Sequence, residues 1–279
     1  MSAELLLSEG RLDDALVELK QQVRKDAANA RYRIFLFQLL AIQGDWARAL
    51  TQLEVAGELD PSALAMVQTY REAIRCELLR AEIFAGRRSP LIFGDPEPWL
   101  ALVLEALQLT ATGRHEKAEP LRNQAFAEAP ATSGTLDEQG FEWIADADMR
   151  LGPILEAIVN GRYYWVPFHR IKSIQVEAPV DLRDMVWMPA FFTWANGGES
   201  AGLIPTRYPG SERNPDPQVR MARKTDWQDA SPNVFLGQGQ RMLATDAGDF
   251  SLMDIRSVKL NTDRGDEAAK ASQADPPDG

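Results

Sequence analysis

QGDWARALTQLEVAGELDP, residues 43–61, decides the reading of the fold. Gly44 ends one helix and Asp45 caps the next. Ala49, Leu53 and Ala56 then share one face of that helix, at spacings of four and three. Pro61 closes it, because proline cannot continue a helical ladder. Such a unit buries its apolar face only against a neighbour like itself, so it should repeat.

The repeat is present. Gly10 precedes Gly44 by 34 residues, and the same step takes Leu12 to Trp46, Ala15 to Ala49, Leu16 to Leu50, Leu19 to Leu53 and Asp26 to Asp60. Gly113, Ala118, Ala125 and Pro130 keep the offsets that separate Gly44, Ala49, Ala56 and Pro61. The period and the glycine–alanine–proline positions resemble the tetratricopeptide repeat. The first copy has Ala27 in place of the proline. A degenerate third copy, near residues 69–88, should lie between Gly44 and Gly113; residues 62–85 read as a helix pair or one long helix. Pro96 and Pro98 make residues 91–98, LIFGDPEP, an unpaired loop. Helices from Pro98 and over Glu116–Ala129 complete the array.

Composition bounds the rest. The chain has 279 residues and a net charge of −11, spread over both halves, which argues against a binder of nucleic-acid backbone. Its single cysteine, Cys76, excludes an internal disulfide and belongs in a helical core. No run approaches a membrane span and the start carries no signal peptide, so a cytoplasmic protein is expected.

Beyond the linker Ala131–Thr135 the helical period fades and short β-rich runs take over. Strands are predicted near 141–147, 154–159, 162–166, 185–194, 200–206, 233–244 and 251–260, with Arg170–Ile174 as a short helical turn. Asn160-Gly161 is the clearest hairpin signal and Asn196-Gly197-Gly198 a second. Seven short strands suggest a small bent antiparallel sheet or partial barrel. Residues 261–279, polar and acidic, read as a disordered tail.

The runs GFEWIADADMRLGPILEAIVNGRYYWVPF, from Gly140, and DLRDMVWMPAFFTWANGGESAGLIPTRYPGSE, from Asp181, resemble the ImpE family, also called TagJ or SciE. With the helical repeats, the resemblance covers nearly the whole chain. It implies an α+β multidomain protein: a helical tetratricopeptide-like domain over 1–130 and a β-rich ImpE-type domain over 136–260. It also implies a cytoplasmic accessory protein of a bacterial type VI secretion system, without enzymatic activity. The implied partner is a short segment of the small contractile-sheath subunit, and indirectly the AAA+ ATPase that disassembles the sheath.

Asp146, Asp148, Glu156 and His169 are the one plausible acid–base or metal set. The plainer reading, preferred here, is that they cap turns and pair with Arg150 or Arg170. Gly237-Gln238-Gly239 is too short for a dinucleotide fingerprint, and no P-loop or nucleophile elbow occurs, so no cofactor is predicted. His115, beside a hairpin turn, should be solvated. Tyr163, Tyr164, Trp165, Phe168, Trp187, Phe191, Phe192 and Trp194 cannot all face one core if the strands alternate. Asp146, Asp148, Tyr163, Trp165, Trp187 and Trp194 are therefore candidate partner contacts. A bent sheet packed on both faces, one of them against the helices, stays open beside that reading. Three functional classes follow: an adaptor holding a short peptide, an enzyme or metal protein built on Asp146, Asp148 and His169, and a scaffold binding whole folded domains.

Overall fold

A computed structural model describes residues 2–231 and 234–262. Nearly all of the predicted tail therefore lies outside the described residues. Helices α1 (Ala3–Ser8) and α2 (Leu12–Lys25), then α3 (Ala30–Ile42) and α4 (Trp46–Leu59), form two hairpins. A single long helix follows, α5 (Leu64–Phe84), and then a third hairpin, α6 (Pro98–Ala111) with α7 (His115–Glu128). The degenerate third hairpin expected from the period is absent: α5 runs unbroken, since it contains no glycine or proline to end it early.

Gly10, Gly44 and Gly113 all have positive φ and end their helices in the same way. At Gly44 the amide bonds to the Ala41 carbonyl (3.1 Å) and the next amide, of Asp45, to that of Leu40 (3.0 Å). This is the glycine-terminated cap that leaves no orphan carbonyls. The Asp45 side chain then accepts from the Arg48 amide at 3.3 Å, opening α4 as predicted. The second half of the chain also docks on these turns. A Cβ on Gly44 would lie 2.5 Å from Glu212, and one on Gly10 2.7 Å from Gln218. Arg207 donates to the Ile42 carbonyl (2.7 Å) and Arg223 to the Leu7 carbonyl (3.2 Å), so each neutralises the negative end of a repeat helix.

The strands are β1 (Leu91–Ile92), β2 (Gly134–Leu136), β3 (Gln139–Phe141), β4 (Ile144–Asp146), β5 (Ile154–Val159), β6 (Arg162–Pro167) and β7 (Ile171–Val176). Then come β8 (Trp187–Trp194), β9 (Glu199–Pro205), the one-turn α8 (Pro217–Arg220), β10 (Thr225–Ser231) and β11 (Val234–Gly239). The last three are β12 (Met242–Thr245), β13 (Gly248–Ser251) and β14 (Ser257–Leu260). Nine of them form one open sheet, ordered β1-β6-β5-β9-β8-β7-β14-β2-β3; β13-β12-β4 and β10-β11 are separate. The partial barrel expected from sequence is thus not formed: β1 and β3 remain as edges.

Two further expectations are corrected. Leu91 and Ile92 pair in parallel with Tyr164 and Trp165, because both prolines of that loop fall after the pairing residues. The predicted turn over Arg170–Ile174 is mostly strand β7; only Phe168–Arg170 is helical, as a single 3-10 turn. The linker is also more ordered than its composition suggests. Gly134 pairs within β2 so closely to β14 that a Cβ would sit 2.1 Å from the Lys259 carbonyl oxygen. At Asn160-Gly161 both residues have positive φ, as a two-residue hairpin between β5 and β6 requires.

The central sheet buries both faces. Ile154, Ile158, Tyr163, Trp165 and Trp187 pack against the helices in a core shared with Leu53, Tyr70 and Ile83. Leu155, Val159, Val166, Phe192 and Trp194 form a second core with Leu243, Leu252 and Val258. Since Leu53 is fully buried, Leu53→Ala should destabilise the protein by about 2–5 kcal/mol in chemical denaturation. An unchanged midpoint would contradict the packing of α4.

Candidate functional site

The residues singled out in the sequence meet in an interior ion network between α5 and the sheet. Helix α5 turns Val67, Tyr70, Ile74 and Ile83 inward, and Glu77 and Arg80 occupy the same buried stripe. Opposite them, Glu156 alternates along β5 with Ile154 and Ile158 and so shares their helix-facing side. Arg80 grips Glu156 with two bonds, Nε at 2.6 Å and Nη2 at 2.9 Å. Arg241, fully buried, donates to Glu156, to Asp146 and to the Pro205 carbonyl (2.8 Å). Tyr163 donates its hydroxyl to Glu156 and accepts from Trp165 Nε1 at 2.9 Å.

Asp148 closes the turn after β4. Its amide bonds to Asp146 Oδ1 at 2.8 Å, and its carboxylate accepts from the Arg150 guanidinium and from the Gly237 amide (2.7 Å). Glu77 accepts from Trp187 Nε1 (3.2 Å) and from Arg80 Nη1 (3.4 Å). Burial raises the Glu156 pKa, but Arg80 and Arg241 outweigh it and hold the carboxyl at about 2. At Asp146 burial prevails over Arg241, and the carboxyl is pushed up to about 7. Burial likewise lifts Glu77, and it pushes the Cys76 thiol up to about 12, as suits a core cysteine.

His169 takes no part in this network. It bonds through Nε2 to Glu97 (2.8 Å), which also accepts from Arg170 (2.7 Å) and from Trp99 (2.9 Å). The proposed Asp146–Asp148–His169 set is therefore not assembled: the two aspartates have arginine partners and the histidine has Glu97. Among the described residues no group of three His, Cys, Asp or Glu side chains could hold a metal ion. His115 is half-buried rather than solvated. Sequence reasoning missed Arg80, Arg207 and Arg241. Arg80 had a signal, a charged residue at an apolar-stripe position three beyond another, Glu77. Arg207 and Arg241 had none, since their partners lie far away in sequence.

All six candidate partner contacts, Asp146, Asp148, Tyr163, Trp165, Trp187 and Trp194, are buried. The exposed aromatics are Trp143, Phe191, Trp227 and Phe235. Trp143 stands at the rim of an apolar groove of about 450 Å³ between the end of α7 and β4. Phe126, Pro130, Met149 and Pro153 wall this groove, and Ala145 and Ala244, cross-strand neighbours, leave its floor low. Asp146 is the one candidate that also reaches it. A larger groove, about 630 Å³, lies between the start of α5 and the β5–β6 turn, with charged Glu72 and Arg183 in its lining.

Glu156→Gln leaves Arg80 and Arg241 undercompensated in the interior and should cost about 3–5 kcal/mol at neutral pH. The depressed pKa of Glu156 contributes stability that is complete above its unfolded value of 4.5 and lost as pH falls toward about 2. The variant should therefore lose less stability than the parent across that acid interval in denaturant titrations.

The comparisons with known proteins agree with this architecture. The family model described as ImpE protein matches residues 138–259. The type VI secretion system accessory component TagJ of Pseudomonas aeruginosa is 55% identical over 258 residues, spanning 92% of this chain and 90% of that protein. The crystal structure of protein VPA1032 from Vibrio parahaemolyticus has the same fold, with a TM-score of 0.85, 24% identity, and coverage of 93% of this chain and 97% of that one. A relative this similar over nine-tenths of both sequences, together with the family match over residues 138–259, places the chain in the ImpE (TagJ) family.

Proposed function

We propose that this protein is a cytoplasmic, non-catalytic accessory component of a type VI secretion system, and that it holds a short amphipathic segment of the small contractile-sheath subunit. The observation that carries the accessory role is the 55% identity to TagJ over nearly the full length of both proteins. The fate of the candidate acid–base residues supports a non-catalytic reading, because Asp146, Asp148 and Glu156 are spent on arginines. Among the described residues no helix is long and apolar enough to cross a membrane.

The docking surface we favour is the groove beside Trp143. Its walls are apolar, its floor is alanine, and its one carboxylate is already paired, so an apolar helix face can enter without stranding a charge. Burying three or four apolar anchors at roughly 1.5–3 kcal/mol each, less the ordering cost of the peptide, gives an affinity of order micromolar. Such binding is reversible. It suits a protein that tunes sheath assembly, or recycling of the sheath by its ATPase, without becoming part of the sheath.

The test is a titration of the protein with overlapping peptides of the small sheath subunit. Saturable micromolar binding to one peptide is expected. Trp143→Ala should weaken it at least tenfold while leaving the melting temperature near that of the parent, because the side chain is 42% exposed. Retention of whole folded subunits but of no peptide would favour the scaffold reading instead.

A further inference from the structure

The groove beside Trp143 has an apolar lining but an acidic surround. Three segments form it: the end of α7, residues 141–153, and β12 with the turn that follows. Every exposed charge on them is negative, at Glu128, Glu142, Asp246 and Asp249. Their one arginine, Arg150, turns inward onto Asp148 and its side chain is 12% exposed. Among the described residues none of the four exposed acids has a cationic partner.

Asp246 is fixed in place, because its Oδ1 accepts from the Glu142 amide at 2.8 Å. Its carboxylate is thereby held beside the residue that precedes Trp143. Helix α7 adds to the same field. It stops at the groove wall, where Ala129 and Ala131 lie, and its last turn carries Glu128 and no basic residue. The ends of α1, α2 and α3, by contrast, each meet a cation: Arg223, the Arg24–Lys25 pair and Arg207. The negative end of α7 is left uncompensated. Trp143 is also without a partner. The other six tryptophans each make a hydrogen bond or a ring contact. Among the described residues Trp143, 42% exposed, makes neither. An open indole face beside an unpaired carboxylate suits a lysine or arginine side chain, which the ring attracts by cation–π interaction and the carboxylate by a charge-assisted hydrogen bond.

We propose that this groove selects an apolar segment with a basic flank: the apolar anchors lie over Ala145 and Ala244, and a Lys or Arg beside them rests on Trp143 and pairs with Asp246. The proposal rests on the groove being the docking surface and adds which chemistry of segment it accepts. An acidic flank in the same position would be repelled by Asp246, Glu142 and the end of α7. The apolar lining supplies the attraction, and the acidic surround decides between segments of equal hydrophobicity.

The probes are two synthetic amphipathic peptides with the same apolar face, one flanked by lysines and the other by glutamates. Each is titrated into the full chain by calorimetry at low salt. The lysine peptide is expected to bind about tenfold more tightly. That ratio should fall to about twofold or less in the Glu142→Gln, Asp246→Asn variant. Both positions are exposed, and asparagine keeps the oxygen that the Glu142 amide uses. A Glu58→Gln, Glu177→Gln variant loses the same charge at exposed positions on α4 and after β7, and should keep the parental ratio. This control separates the site from general attraction of a basic peptide to a chain of net charge −11. Equal affinities for the two peptides, binding of neither, or a preference that the groove variant retains would each overturn the proposal. Titration with the sheath peptides judges the groove itself separately, since it needs no comparison of flanking charge.

Discussion

The structure depends on keeping the Glu156 charge compensated in the interior. A lone carboxylate at that depth costs several kcal/mol, and no water is needed to satisfy this one because two guanidiniums and a phenol surround it. The compensating groups come from distant parts of the chain: Arg80 from the helical half, Arg241 from the link between β11 and β12, and Tyr163 from the neighbouring strand. Arg80 also donates to the Arg207 carbonyl at 2.7 Å, and Arg207 in turn caps α3. The contacts that neutralise one charge therefore fix the helices in a single position on the sheet. Ion pairs of this kind add little net stability, but they penalise any other arrangement.

Aromatic packing continues the same seam. Trp187 contacts Trp46 and Tyr70 at ring separations of 5.8 and 5.5 Å, and Tyr70 contacts Phe37 at 5.8 Å. Trp187 thereby joins the second helical hairpin and α5 to β8, and its Nε1 reaches the ion network through Glu77. On the opposite face Phe192 stacks on Trp194, which lies 4.1 Å from Phe93 of the loop brought in by β1. A sheet with both faces occupied has little spare aromatic surface. What is left lies where the helices stop covering it, at Phe191 on β8, and where the small sheets project, at Trp143, Trp227 and Phe235. The arrangement separates a rigid interior from the peripheral surfaces on which binding can act.

The helical hairpins were legible because their signals are local. Gly44 needs only its own positive φ, Asp45 only an amide three residues on, and Leu53 only the period of its helix. The β5–β6 hairpin was legible for the same reason, since Asn160-Gly161 carries its turn chemistry in two residues. Strand β1 was not, because two residues gain a strand identity only from the partner they meet 73 positions later. Of the candidate site, the pairing of Asp148 with Arg150 was readable as a contact between near neighbours. The partners of Asp146 and His169 were not, because Arg241 and Glu97 approach only once the sheet is formed.

By itself the sequence determined the helical hairpins and their capping, most of the strand positions, the core role of Cys76 and the likeness to the ImpE family. These follow from periodicity, turn residues and long runs of unusual sequence, none of which requires knowing what lies across the fold. The tertiary structure decided that the sheet stays open and that both its faces are covered. It also turned the conspicuous carboxylates and tryptophans inward and left other aromatics at the surface. The physical reason is that the fate of a charge or a large ring depends on its desolvation and on which groups compensate it. Those groups are contributed by chain segments far apart in sequence, which only folding brings together.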